Sequence, residues 1–149
     1  MEPIRRITII RREDIPAISE IVENGMVHSL GEHRDFRRNP ALAAFIPENA
    51  RLAMSWTRLQ RGQVLEPHVH PIRSMIIICD GEGMLLGDVT APLHAGDAVI
   101  VPPGCHHGFE GGAPGGFGAL SVQFESSGLY EHPDKPQVAF DPGATLLPK

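Results

Sequence analysis

The stretch GQVLEPHVHPIRSMIIICDGEG, residues 62–83, sets His68 and His70 one residue apart and just ahead of an apolar run. Strand residues that differ by two project from the same side. A strand reading therefore aims both imidazoles at one face, and Ser74 shares that face if the strand stays regular. The chain has eight histidines, so an H-x-H pair by itself is weak evidence for a metal site. It needs a third ligand from elsewhere.

A second segment, GDAVIVPPGCHHGFEG at 96–111, supplies a candidate. It reads as a turn glycine, a short strand, a Pro-x-Gly turn, and then His107 three positions after Gly104. Gly62, His68, His70 and Gly81 fit G-x5-H-x-H-x3-E-x6-G, with Ser74 at the glutamate position. Gly96, Pro102, Gly104 and His107 fit G-x5-P-x-G-x2-H-x3-N, with Gly111 at the asparagine position. In these two motifs and their order the chain resembles the cupin superfamily over about residues 55–125.

The resemblance implies an all-β fold, a cupin-type jelly-roll β-barrel with a cavity that holds one divalent metal. Carried over by position, His68, His70 and His107 are the ligands. Spacing favours His107 over His106. Fe(II) is the favoured ion; Ni, Cu and Zn also suit neutral nitrogen donors, and Mn is kept as a further alternative. With Ser74 in place of the carboxylate the site is more positive, which favours an anionic ligand and frees a position for substrate or O2. A three-histidine centre resembles the thiol dioxygenases and the diketone-cleaving dioxygenases. The leading expectation is thus an oxygen-using dioxygenase acting on a small anionic substrate. The alternatives are a non-redox isomerase, lyase or cyclase, and a binding protein without turnover, since some cupins have lost ligands. A homodimer is expected by the same resemblance, with IRRITIIRR as the pairing strand.

Composition agrees with a globular chain. Hydrophobic content is 42% and charged content 21%, ordinary for a soluble domain. Sixteen Gly and fourteen Pro recur between short apolar runs, the pattern of short strands and many turns. A formal net charge of −5 argues against nucleic acid as a partner. No apolar run reaches the ~20 residues of a membrane span, and MEPIRRITIIRRED lacks a signal-peptide core. Cys79 and Cys105 make no disulfide framework. Together these features point to the cytoplasm.

Along the chain, residues 4–12 read as a strand. Asp14, Pro16, the spacing of Ile15, Ile18, Ile21 and Val22, and a stop at Gly25 predict a short N-terminal helix at about 15–24. A helical turn is expected near Pro40–Phe45. Residues 1–50 should pack on a barrel core at 51–125, with 126–149 as an extension holding four prolines. Leu52, Met54 and Trp56 alternate with Ala53, Ser55 and Thr57. Ser74–Cys79 and Met84–Val89 read as two strands of a hairpin turning at Asp80–Gly83. Ala98–Pro102 and Phe117–Phe124 follow, joined by the Gly-rich 110–118. On the last strand either Leu120, Val122 and Phe124 or the set containing Gln123 faces the cavity.

Trp56 and Met54 are expected in the core, Cys79 buried, Cys105 in turn packing, and Arg73 facing solvent. His28, His33, His94 and His132 are assigned to surface or turns. Tyr130 is a candidate cover for the cavity mouth. No general base can be named from the sequence; Glu66 and Glu110 are the nearest carboxylates.

Overall fold

Short strands and tight turns dictate an antiparallel architecture. The computed structural model describes residues 4–126 and 138–140. Its strands are β1 (Ile18–Glu23), β2 (Met26–Asp35), β3 (Leu52–Leu59), β4 (Val64–His68), β5 (Ser74–Gly87), β6 (Ala91–His94), β7 (Ala98–Val101), β8 (His107–Gly111) and β9 (Phe117–Phe124). One helix, α1 (Pro40–Phe45), stands between β2 and β3. Asn39 caps it, its side chain accepting from the N–H groups of Ala41 and Leu42, and Pro40 occupies the first turn, where its missing N–H costs nothing.

Every strand pairing is antiparallel. One sheet runs β1-β2-β3-β9-β5-β7 and the other β4-β8-β5-β6. β5 belongs to both. Its first half pairs with β9 and β7, its second half with β8 and β6. The sheets curl so that their inner faces enclose Leu30, Leu59, Ile76, Ile78, Phe109 and Phe117. Burying each such side chain stabilises the fold by roughly 1.5–3 kcal/mol.

The helix expected at 15–24 is a strand instead. Asn24 and Gly25 both take positive φ, 51° and 78°, the two-residue turn that Asn-Gly favours in hairpins. Gly25 thus turns β1 into β2 rather than ending a helix. Ile18, Ile21 and Val22 are β-branched and suit a strand; their helical spacing is coincidental. Asp14 closes a 3-10 turn at Arg12–Asp14, its carboxylate accepting from the Arg11 N–H. Residues 4–11 form no strand, because nothing among the described residues pairs with them, and Ile7 is fully exposed.

The hairpin expected at Asp80–Gly83 is also corrected. β5 runs straight through it, with a bulge between Ile78 and Asp80. The glycines serve close approach of backbones at the sheet corner. A Cβ on Gly81 would lie 2.0 Å from the Gly116 carbonyl oxygen, and one on Gly83 2.5 Å from that of Glu110. Cys79, expected inside, is exposed on this strand, while Cys105 packs half-buried against the core.

On β3 the innermost residues are Ala53, Ser55 and Leu59. Trp56 is half-buried outside them, with the Arg12 guanidinium 5.3 Å from its ring and Phe36 at 5.7 Å. On β9 the cavity-facing residues are Phe117, Ala119 and Ser121, the set that shares parity with Gln123. Arg73 lies in the open, its guanidinium 4.9 Å from the Phe124 ring. Tyr130 and His132 lie outside the described residues. No helix among the described residues is long and apolar enough to cross a membrane.

Candidate metal centre

His68 ends β4 and His107 begins β8, and the two are cross-strand partners. His70 follows β4 in the bend that leads to β5. The structure brings all three together, with ring centroids 4.4 Å apart for His68–His107 and 4.8 Å for each pair with His70. One nitrogen from each ring lies within 4.8 Å of the others. All three side chains are buried. His106 is not part of this cluster; its backbone N–H donates to Asp88 and its ring lies half-exposed near the same carboxylate.

The backbone fixes how two of the rings are presented. His68 Nδ1 lies 2.7 Å from the Glu66 carbonyl oxygen, and His107 Nδ1 lies 3.1 Å from that of Cys105. A carbonyl only accepts, so Nδ1 carries the proton in each. That leaves Nε2 with a bare lone pair, the state a metal ligand needs. Burial pushes the His68 imidazole well below its ordinary range, and the neighbouring His70 and His107 push it further down. Burial also lowers His107, against the opposing pull of its bond to Cys105. The rings are held neutral and ready to donate.

The cavity they face has about 40 Å³ of space, enough for two or three water-sized groups. Its apolar wall includes Leu65, Ile76, Phe109 and Phe117, and its polar wall His33, Thr57, Ser74 and Ser121. Among the described residues no Lys, Arg, Asp or Glu lines it. Ser74, at the position the motif gives to glutamate, is buried, and its Oγ has no hydrogen-bond partner. It reaches the cavity although the chain bends between His70 and β5, so strand parity is not what puts it there. Gly111, at the asparagine position, has no room for any side chain: a Cβ would lie 2.0 Å from the Gln60 carbonyl oxygen.

Three buried imidazoles, two of them with Nδ1 on a carbonyl and Nε2 turned to the others, stand beside an unpartnered hydroxyl and can hold a divalent ion. They bring no negative charge to it.

Two histidines assigned to the surface are inside. His33 is buried on the cavity wall, and burial, with Arg38 adding to it, pushes its imidazole down to about 4. The signal was Gly31. Between Ile18 and Glu20 of β1 the partners on β2 jump from His33 to Ser29, and Gly31 sits there with φ 67°. The extra residues shift the inward parity from His28 and Leu30 to His33 and Asp35. His28 is buried too, stacked 4.1 Å from the Phe140 ring and bonded through Nδ1 to Glu66 at 3.2 Å. That bond joins β2 to β4 across the two sheets. Phe140, itself buried in the core, also packs 5.1 Å from the His68 ring. Its N–H donates to Glu23, and Ala139 pairs with Val69. His94, by contrast, is the exposed last residue of β6 and pairs with Asp97 across the turn that follows. Neither Glu66 nor Glu110 lines the cavity.

Residues 55–116 match the family profile described as the cupin domain. No curated protein matches the chain in sequence. Among solved structures, the polyketide cyclase RemF from Streptomyces resistomycificus is similar at 19% identity over 81% of each chain, with a TM-score of 0.59. A Cupin 2 conserved barrel domain protein from Salinispora arenicola is similar at 22% identity over 81% of this chain and 89% of that one, with a TM-score of 0.57. At these identities the likeness is one of fold.

Proposed function

From the match of residues 55–116 to the cupin domain and the shared fold we propose that this chain is a cupin and a metal-dependent small-molecule enzyme, an oxygen-using dioxygenase acting on a small anion. The observation that carries the reading is the charge of the cavity. A dication held by His68, His70 and His107 meets no carboxylate among the residues that line it. In a desolvated site such a charge attracts an anion strongly. The substrate is therefore recruited by its own negative charge, as a carboxylate, thiolate or enolate. Fe(II), when held there, would lift the spin barrier between O2 and a closed-shell substrate, the electrons that reduce O2 coming from the substrate itself.

The chain's residues do the rest. His68 and His107 are oriented by their carbonyl partners. Phe109, Phe117 and Ile76 exclude water, and the Phe140 ring packs against His68. The cavity size suits a reacting end of only a few heavy atoms. A homodimer belongs to the same reading, supported by the exposed Ile7, Ile9 and Phe45 beside the groove between residues 4–10 and α1.

A second reading is non-redox, with the metal as Lewis acid for an isomerase, lyase or cyclase. It is favoured by His33, a neutral buried imidazole on the same wall, a polar group beside the ligand that is too weak a base to carry a charge there. Metal analysis of protein purified without chelator tests the shared premise. Oxygen uptake with added Fe(II) over a panel of thiols and diketones separates the readings. Uptake above the metal-only rate is expected; none with any anion, on iron-loaded protein, removes the dioxygenase.

A further inference from the structure

The wall across β5 and β9 contains hydroxyls that the protein itself does not use. Ser74 is 4% exposed, lines the cavity, and its Oγ has no partner. Leaving a buried hydroxyl unsatisfied is unfavourable, so its partner is expected to come from a ligand. Ser121 lines the same cavity on β9, diagonal to Ser74, since Ser74 pairs with Gln123 and Ile76 with Ser121. Gln123, itself 2% exposed, donates through Nε2 to Ser121 Oγ. Ser121 is thus fixed as an acceptor from Gln123, and its own hydrogen is left to donate into the cavity. Behind it Ser55, its cross-strand neighbour, has another unpartnered hydroxyl.

We propose that Ser74 and Ser121 form a second binding position, for an uncharged oxygen of the ligand, so that the preferred ligand is a small anion carrying a hydroxyl or carbonyl a few bonds from its charged end. This rests on the reading that the anion is held at the histidine centre. With no cation on the wall, a second carboxylate would find no counter-charge there, whereas a neutral oxygen finds two donors. Ser74 is then a specificity residue, and its replacement of a carboxylate opens a place for substrate.

Calorimetric titration of Zn(II)-loaded protein tests this without turnover. The probes are acetate and glycolate, and propionate and 3-hydroxypropionate, each pair differing by one hydroxyl. At least one hydroxylated acid is expected to bind about tenfold more tightly than its partner, the worth of one hydrogen bond to a buried group. That advantage should vanish in Ser74→Ala, shrink in Ser121→Ala and return in Ser74→Thr. The melting temperature of metal-free Ser74→Ala should equal or exceed that of the wild type, because an unsatisfied hydroxyl has gone. If the advantage is absent, or equal in Ser74→Ala, while all four anions bind, the second position is refuted and the anion reading stands. If Zn(II) binds and no anion does, both fall. A drop of several degrees in metal-free Ser74→Ala would make Ser74 structural and overturn the proposal.

Discussion

His68 and His107 oppose each other across β4 and β8, each with Nδ1 on a carbonyl two residues before it in its own chain segment. The ladder therefore sets both position and tautomer. Removing either imidazole leaves two donors, too few for a closed site. His68→Ala, His70→Ala and His107→Ala should each bring metal content from about one ion per chain to near zero. Elemental analysis after gel filtration checks this. Unchanged content in all three variants would mean the ion sits elsewhere.

Acid should destabilise the protein through its buried imidazoles. His33 is held at about 4 when folded, and His68 and His107 are also lowered. Unfolded, each returns to about 6.5. Between those values the unfolded chain binds more protons, so stability rises with pH. Their contribution is complete above about 6.5 and is lost as pH falls, with the share of His33 exhausted near 4. For His33 that share is about 3 kcal/mol. Urea unfolding at several pH values should show a shallower loss in His33→Gln than in the wild type. Parallel curves would count against a buried neutral His33.

Phe117 is 1% exposed and lines the cavity. Phe117→Ala should cost about 3–5 kcal/mol. It should also enlarge the pocket. Chemical denaturation measures the first effect. Uptake of a bulkier anion by the metal-loaded variant measures the second.

The corner of β5 is intolerant of side chains. Gly83→Ala places a Cβ 2.5 Å from the Glu110 carbonyl oxygen and 2.6 Å from the Phe117 ring. A loss of about 1–3 kcal/mol or more is expected. Gly115→Ala meets nothing within 4 Å and should stay within about 0.5 kcal/mol. Equal midpoints for the two variants would contradict the close approach.

His28 ties β2 to Glu66 on β4 and stacks on Phe140. His28→Ala should cost about 1–2 kcal/mol, the worth of one hydrogen bond and one ring contact. It should also speed amide exchange at Val69 and Ala139, whose N–H groups bond each other's carbonyls. Exchange unchanged at both amides would separate the ring stack from the bridge.

The barrel and its three-imidazole cluster were legible through the resemblance of two glycine and histidine motifs to the cupin superfamily, which strand alternation alone does not supply. Less legible was whatever depended on a bulge or a corner. The shift at Gly31 hid His33, since alternation carries over a strand only while the register is regular. At 80–83 the glycines spelled a hairpin, although their purpose is to let backbones approach. Asn24-Gly25 was a readable hairpin signal that the helical spacing of Ile15, Ile18, Ile21 and Val22 masked. The inward placement of Ser74 followed from the bend after His70, which no local pattern specifies.

Because β5 threads through both sheets as one uninterrupted strand, neither layer owns a complete set of hydrogen bonds without it. The layers should melt in one cooperative transition. A nick at residue 82 would have to weaken both at once, which makes that strand a poor place to split the protein into complementing halves.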